Sequence, residues 1–267
     1  MIEKIMVNEV IRSLEWRQRN HYARVSHQYS SRRATVSGVQ INRYLDRKIA
    51  AIADWRDVNI VLLLGCGSYK IVGVNENESK IIALDISIDM LRIFSRDYPD
   101  TPVVQASGFA LPFRDQSLPY IVARGSLHHM PELLSALREI RRSLGLGGRL
   151  VFLEPFDDWI VWRAIRGVVY AVSTSLDAQS EKTLRRQELL RLLHIAELEL
   201  EASQSSGLFT FLFLRNDDIS LIARMFTSKI MFPIIFRMAQ HIDRIVERIF
   251  EKSSWIFPEV IGVVVRK

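Results

Sequence analysis

The stretch NIVLLLGCGSYKIVG, Asn59 to Gly73, decides the fold of this 267-residue chain. Its apolar run from Ile60 to Leu64 breaks abruptly into Gly65, Cys66 and Gly67. A short apolar run bounded by glycines is typical of a buried strand. Glycines at that point either turn the chain through backbone angles closed to other residues or let a ligand lie against the bare backbone. The rest of the sequence has to distinguish these two uses.

From residue 59 onward, short apolar runs alternate with helical patterns, which is typical of a parallel sheet with crossover helices. We predict strands over residues 60–64, 81–85, 102–105, 119–124, 149–154, 208–214 and 260–265. The fold class is therefore α/β, a seven-stranded, doubly wound, Rossmann-like sheet with helices on both faces.

Two crossover helices have recognisable starts. Ser87 is placed to cap the helix in SIDMLRIFSRD, and Pro131 stands at the start of PELLSALREIRRSL, which runs to the turn at Gly145 to Gly148.

Two further helical regions lie outside the sheet pattern. Residues 1–56 are helical with a break in YSSRRATVSG, and a helical insertion over about 216–257 precedes the last strand. We divide the chain into a helical N-terminal lid, 1–56, and a ligand-binding domain, 57–267, and expect lid and insertion to cover the carboxyl ends of the strands.

Composition limits the cellular setting. Cys66 is the only cysteine, so an intrachain disulfide and a thiolate metal site are excluded, and we predict no metal. The N-terminus lacks the uninterrupted apolar core of a signal peptide, so we expect a cytoplasmic protein. The most apolar candidate, Ile219 to Phe236, contains charges and a proline and falls short of a membrane span, which leaves peripheral membrane contact open.

The net charge of +6 is concentrated in the leader. Residues 1–56 hold 11 Lys and Arg against 5 Asp and Glu, and the remaining 25 of each sign cancel. Such a segment attracts an anionic substrate, lipid headgroup or nucleic acid, or it is simply a solvated helical face. We favour the solvated face, and nucleic acid is an unlikely partner because no RNA-binding module is recognisable.

Asp85 ends the second predicted strand 20 residues after Gly65, where a carboxylate can accept both hydroxyls of a ribose. A dinucleotide fingerprint also requires a third glycine three residues after Gly67, and this position is Lys70. The pattern therefore fits a nucleoside without phosphates better than a dinucleotide.

Residues 58–155 resemble the class I S-adenosylmethionine-dependent methyltransferases, of the group that includes quinone-biosynthesis and small-molecule methyltransferases. Four blocks in the family's order carry the resemblance: VLLLGCGS, IIALDIS, ASGFALPFRDQSLPYIVARGSLHHM and IRRSLGLGGRLVFLEP. The resemblance implies S-adenosylmethionine as cofactor, S-adenosylhomocysteine as product and a small-molecule acceptor.

The resemblance also implies residue roles. Cofactor-binding positions would be Gly65, Cys66, Gly67, Asp85, Ile86, Ser107, Gly108 and Arg124. Among them, the glycines pass the methionine part, Asp85 holds the ribose, Ile86 packs on the adenine, and Ser107 and Gly108 lie at the adenine edge. The chain departs from the family at Tyr69, where a glycine is usual, and at Ser107, where an aspartate is common.

Methyl transfer needs alignment and exclusion of water, and needs a base only if the acceptor must lose a proton. His128 and His129 are the candidate catalytic residues, with Tyr22, Tyr29 and Glu154 as weaker bases. Aromatic, basic and apolar residues in the leader and the insertion favour a lipophilic or aromatic acceptor. An RNA-directed methyltransferase, a degenerate cofactor-binding relative and a nicotinamide-dependent oxidoreductase are the alternatives.

Overall fold

The computed structural model of the chain describes residues 2–54, 58–71, 73, 80–130, 132–172, 184–214, 231–250 and 256–267. Within these residues the strands are β1 (Ile60–Leu64), β2 (Lys80–Asp85), β3 (Val103–Gln105), β4 (Leu118–Arg124), β5 (Leu144–Pro155), β6 (Leu198–Ser206) and β7 (Glu259–Arg266). They form one sheet in the order β3-β2-β1-β4-β5-β7-β6. The predicted seven-stranded α/β sheet is confirmed.

The strand directions place the ligand edge of the sheet. The strands β1 to β5 are parallel, and β7 runs antiparallel to both β5 and β6. The carboxyl ends of β1, β2, β4 and β6 therefore meet at one edge, and the polarity of the chain reverses only in β7. Open α/β sheets bind ligands at such an edge.

The helices are α1 (Ile2–Arg33), α2 (Val36–Ile52), α3 (Ile88–Asp97), α4 (Leu133–Ser143), α5 (Ile160–Val172), α6 (Arg186–Ile195), α7 (Phe209–Leu214) and α8 (Met231–Ile249). The predicted cap of α3 is confirmed, because the Ser87 hydroxyl accepts the N–H of Met90. The leader breaks within YSSRRATVSG as predicted, where Thr35 caps α2 by accepting the N–H of Gly38. The helix α4 begins at Leu133, and the predicted start at Pro131 lies outside the described residues.

Helices cover both faces of the sheet. On one face, α4 and α6 bury Leu137, Ile140 and Leu193 against the central strands. On the other face, α2, α3 and α8 bury a second set that includes Ile49 and Phe94. The helix α2 is therefore part of the core, and within the leader it is α1 that extends over the ligand edge.

The predicted strand over residues 208–214 is wrong, because Phe209–Leu214 is the helix α7 and the sixth strand is Leu198–Ser206. The apolar run LFTFLFL is too short for its period to separate helix from strand. A tertiary contact decides it: the buried Asp243 carboxylate accepts the N–H groups of Phe209 and Thr210 and the Thr210 hydroxyl. The first N–H groups of a helix have no partner within the helix, and a carboxylate placed at that end accepts their hydrogen bonds. In a strand, successive N–H groups point in opposite directions and could not share one carboxylate.

Some predicted boundaries lie outside the described residues. The division at residues 56 and 57 is one of them, and of the insertion at about 216–257 the structure describes α8 and the residues next to it. The helical character predicted for AQHIDRIVERIFEK is confirmed over the part that belongs to α8. Among the helices that the structure describes, none is both long enough and apolar enough to cross a membrane.

The centre of the sheet has no room for a side chain at Gly262, since a Cβ there would lie 2.3 Å from Cζ of the buried Phe152 ring on β5. We expect Gly262→Ala to lower the free energy of unfolding by about 1–3 kcal/mol through overpacking, as measured by urea denaturation. The double variant Gly262→Ala with Phe152→Leu should lose less free energy of unfolding than the two single variants lose in sum. At the control position Gly167, in α5, an added Cβ meets no atom within 4 Å, so Gly167→Ala should not destabilise. Additive costs at positions 152 and 262 would contradict this packing.

Candidate active site

The turn after β1 uses its two glycines differently. Gly65 and Gly67 both have positive φ angles, of 65° and 55°. A Cβ at Gly65 would lie 2.5 Å from Cβ of Ser126, so this glycine lets the turn approach the end of β4. A Cβ at Gly67 would meet no atom within 4 Å, so the backbone there borders open space. The turn therefore combines one glycine that close packing requires with another whose backbone is open on the pocket side.

Asp85, at the end of β2, connects this turn to the next helix. One carboxylate oxygen accepts the N–H of Gly67 at 2.7 Å, and the other accepts the N–H of Ser87 at 2.9 Å. Burial raises the pKa of the Asp85 carboxyl, although the hydrogen bonds from the backbone partly offset this effect. Because a carboxylate oxygen can accept more than one hydrogen bond, Asp85 retains capacity for the hydroxyls of a ligand.

A pocket opens beside Asp85 at the carboxyl ends of β1, β2 and β4. The sheet, its loops and the first turn of α3 line it with Leu64, Gly65, Gly67, Leu84, Asp85, Ile86, Met90, Ala106, Gly108, Phe109, Arg124, Gly125, Ser126, His129 and Met130. The remaining lining residues come from one side of α1: Glu15, Gln18, Tyr22, Tyr29 and Arg33. These α1 residues follow spacings of three, four and seven, so they share one helix face.

The structure brings most of the predicted site residues together. Those lining the pocket are Gly65, Gly67, Asp85, Ile86, Gly108, Arg124 and His129. Cys66, Ser107 and His128 lie next to the pocket and do not line it. Direct ligand contact by these three residues stays a prediction, and the structure shows other contacts for each of their side chains.

Cys66 packs into the core because its neighbours at the turn are glycines and its side chain is the only apolar one available there. It is buried among the apolar residues beneath α2 and α3, and burial raises the pKa of its thiol well above the usual value. The thiol is therefore protonated at neutral pH and serves as a packing group.

Tyr69 turns towards α2 and away from the pocket. Its hydroxyl donates to the Asp46 carboxylate at 2.5 Å, and the Arg124 guanidinium lies 4.8 Å from the centre of its ring. The bulky residue at this glycine position thus supports Arg124 without entering the space beside Gly67.

His128 belongs to a buried network centred on Glu154 of β5. The fully buried Glu154 carboxylate accepts the N–H groups of Ser126 and Leu127 at 2.8 Å each, and one of its oxygens lies 2.6 Å from His128 Nδ1. Glu154 therefore holds the 3₁₀ turn Leu127–His129 in place, and His128 is a supporting residue of that turn.

His129 faces the pocket and contacts α1. Its Nε2 lies 3.2 Å from the Tyr22 hydroxyl, and its carbonyl oxygen accepts from the Gln18 amide. Burial lowers the pKa of His129 well below its usual value, with the neighbouring His128 and His21 acting in the same direction. The ring is consequently neutral at neutral pH and can accept a proton from a donor at Nε2.

Glu15 lines the pocket, although no local sequence pattern indicates a role for it there. The Ser107 hydroxyl donates to the Glu15 carboxylate and accepts the N–H of Phe109 at 3.0 Å. The two residues are 92 positions apart, and only the path of α1 over the loop after β3 brings them together. A carboxylate therefore stands beside the serine that replaces the family's usual aspartate.

The opposite end of the pocket is cationic. Arg33 lies 4.5 Å from the centre of the Tyr29 ring and donates to its hydroxyl at 2.6 Å. Arg124 donates to Asn42 at 2.8 Å and pairs with Asp46 at 3.4 Å. Among the described residues, no carboxylate forms an ion pair with Arg33, so this guanidinium is available to an anionic group of a ligand.

Comparisons with known proteins agree with this geometry. Residues 62–152 match the family described as "Methyltransferase domain". The chain is 31% identical over 111 residues to the ubiquinone/menaquinone biosynthesis C-methyltransferase of Bartonella quintana, a match that covers 39% of this chain and 42% of that protein. The chain spans about half the length of the curated relatives it matches.

Solved structures of methyltransferases share the fold. An S-adenosylmethionine-dependent methyltransferase from Thermotoga maritima superimposes with a TM-score of 0.60 at 15% identity, covering 93% of this chain and 99% of the other. Geranyl diphosphate C-methyltransferase from Streptomyces coelicolor, solved with S-adenosylhomocysteine, gives a TM-score of 0.51 at 15% identity and covers 79% and 73%. Residues 62–152 of this chain therefore carry a methyltransferase domain, and its sheet has the fold of the solved S-adenosylmethionine-dependent methyltransferases.

Proposed function

We propose that the protein transfers a methyl group from S-adenosylmethionine to a small lipophilic or aromatic acceptor. The observation that carries the proposal is the pairing of an open backbone at Gly67 with the buried Asp85 carboxylate on the same side of one pocket. A nucleoside that lacks phosphates needs a flat backbone and a ribose acceptor there, and it does not need a third glycine at the position of Lys70.

The pocket divides into parts that suit the parts of this cofactor. Asp85 is placed to accept the ribose hydroxyls. Ile86, Met90 and Phe109 form an apolar slot for the adenine, and Arg33 and Arg124 provide positive charge for the methionine carboxylate at the other end. In this arrangement Gly65 and Gly67 lie between the two ends, where the bare backbone admits the ligand.

Glu15 supplies the carboxylate that the adenine edge otherwise lacks. An aspartate at position 107 would accept from the adenine amino group, whereas the uncharged Ser107 oxygen already accepts the N–H of Phe109 and has one acceptor site left. The Glu15 carboxylate lines the pocket together with Ala106 and Gly108 and can itself accept a hydrogen bond from the adenine amino group. Cofactor binding would then depend on α1 as well as on the strands.

We expect Glu15→Ala to weaken S-adenosylhomocysteine binding by about tenfold, the value of a hydrogen bond to a charged group, as measured by calorimetry. Adding Ser107→Asp to that variant should restore most of the affinity, because it moves the carboxylate from α1 to the loop. In the wild type, Ser107→Asp alone should not tighten binding, since it would place two carboxylates together.

The matched control for this prediction is Glu9→Ala, which removes an exposed carboxylate from the same helix outside the pocket and should leave affinity unchanged. Wild-type affinity in Glu15→Ala, or a double variant as weak as the single one, would show that the adenine edge is held by other groups.

The cofactor would supply an electrophilic methyl group, and the chain would align the acceptor and exclude water. When the acceptor is a hydroxyl, phenol or ammonium, one proton must leave as the new bond to carbon forms. The Tyr22 hydroxyl lines the pocket and contacts Nε2 of the neutral His129, so the pair can pass this proton from acceptor to imidazole. A base of lowered pKa suffices because the acceptor atom becomes acidic as it is methylated.

The pH profile follows from the lowered pKa of His129. The neutral ring is the active form, so kcat should be constant at neutral pH and should fall only as pH drops well below the usual histidine pKa of 6.5.

Tyr22→Phe should lower kcat about a hundredfold or more, with little change in cofactor affinity. Tyr29→Phe is the control, since its hydroxyl contacts Arg33. An equal loss in both variants, or an acid limb centred near pH 6.5, would contradict the assignment.

The acceptor class is supported by the pocket wall and by the relatives. Tyr22, Tyr29, Phe109 and Met130 give the pocket an aromatic and apolar wall. Several of the relatives are demethylmenaquinone methyltransferases or quinone-biosynthesis C-methyltransferases, so quinols and phenols are the first acceptors to test. The test is transfer of label from methyl-labelled S-adenosylmethionine to a panel of quinols, phenols and mixed RNA. Label on RNA alone would favour an RNA-directed enzyme, and no transfer to any acceptor would favour a degenerate relative.

A further inference from the structure

An exposed apolar stripe runs the length of α8. It consists of Met231, Ile234, Met238, Ile242, Ile245 and Ile249, which follow one another at spacings of three or four and are 39% to 68% exposed. Positions at these spacings share one face of a helix. The core face of α8 is a different one, formed by Phe232, Phe236, Ala239 and Asp243. The apolar surface of α8 therefore extends well beyond its core face, and the rest of the fold covers only part of it.

The charges of α8 are sorted by sign. Arg237, His241, Arg244 and Arg248 are exposed and lie along one margin of the stripe. The two acidic residues of the helix point into the fold: Asp243 is buried against α7, and Glu247 pairs with Lys48 at 2.5 Å and accepts the N–H of Gly207. No ion pair neutralises the three arginines within the described residues. The outer face of α8 is thus apolar along its centre and positive along its edge.

The C-terminal half of α8 packs beside the carboxyl end of β6. Glu247 and Asp243 contact residues that directly follow Ser206, the carboxyl end of β6. The carboxyl ends of the strands that form the cofactor pocket are at the same edge.

We propose that the outer face of α8 docks the protein onto the surface of an anionic lipid bilayer, with the apolar stripe in the interface and the arginines on the headgroups. A helix with an apolar face and a row of basic residues at its border has the composition of interfacial helices. Each arginine near an anionic surface strengthens binding by about fivefold. A second copy of the chain fits less well, because a symmetric antiparallel pairing of the stripes would bring the two arginine rows together.

Flotation of the whole protein with phosphatidylcholine vesicles, with and without phosphatidylglycerol, tests the proposal. We expect binding to the anionic vesicles, weakened by salt. Met238→Glu with Ile245→Glu should reduce the partition coefficient more than about tenfold, since two buried side chains are replaced by charges that anionic lipid repels. Arg237→Gln with Arg244→Gln should reduce it by about thirtyfold.

Each double variant has a matched control of the same charge change. Leu146→Glu with Leu190→Glu alters exposed apolar residues elsewhere, and Arg92→Gln with Arg96→Gln alters exposed arginines of α3. Both controls should bind vesicles as the wild type does, and thermal unfolding checks that all four variants are folded. Absence of wild-type binding to anionic vesicles would overturn the proposal, as would equal losses in variants and controls.

An alternative result is a dimer that Met238→Glu with Ile245→Glu dissociates, together with no binding to vesicles. That result would assign the outer face of α8 to a second copy of the chain and would also overturn the proposal. Vesicle binding is measured without cofactor or acceptor. Its failure therefore leaves the proposed methyl transfer untouched, and failure of methyl transfer leaves the docking surface untouched.

Discussion

The Asp85 carboxylate is the constraint on which the ligand edge depends. By accepting the N–H groups of Gly67 and Ser87, it fixes the turn after β1 against the start of α3. This arrangement buries a carboxylate, which raises its pKa. The positive φ angles of Gly65 and Gly67 let the backbone of the turn reach that carboxylate. Because Gly65 must also pass close to Ser126, the same turn sets the distance between β1 and the end of β4. The pocket lies between the ends of β1, β2 and β4, and these contacts hold the three ends at defined separations.

A second buried carboxylate shapes the floor of the pocket. Glu154 gathers the N–H groups that begin the 3₁₀ turn after β4, and it binds His128, so that His129 is the histidine directed at the pocket. From α1, Tyr22 and Gln18 meet His129, while Glu15 meets Ser107. A helix outside the sheet thus contacts both the proposed adenine end and the proposed acceptor end of the site. We infer that this chain distributes its cofactor contacts between the sheet and α1.

Local sequence predicted those parts of the structure that depend on short-range patterns. The strand at Ile60 to Leu64, the cap at Ser87 and the position of Asp85 follow from residue types next to one another in the chain. Residues 209–214 failed because their apolar run is ambiguous and Asp243, from α8, decides in favour of helix. Glu15 could not be found because its partner is 92 residues away, and the choice between His128 and His129 depended on Glu154. The errors therefore concentrate where contacts distant in sequence determine the geometry.

We infer that one nucleoside site, organised by Asp85, binds the methyl-donor cofactor. Titration of the protein with S-adenosylhomocysteine in a calorimeter tests it directly, with Asp85→Ala beside the wild type and Ser87→Ala as a control that removes the α3 cap next to it. We expect binding at a single site in the micromolar range, weakened about tenfold to a hundredfold by Asp85→Ala and little changed by Ser87→Ala. Saturable binding of NAD with no response to S-adenosylhomocysteine, or wild-type affinity in Asp85→Ala, would contradict it.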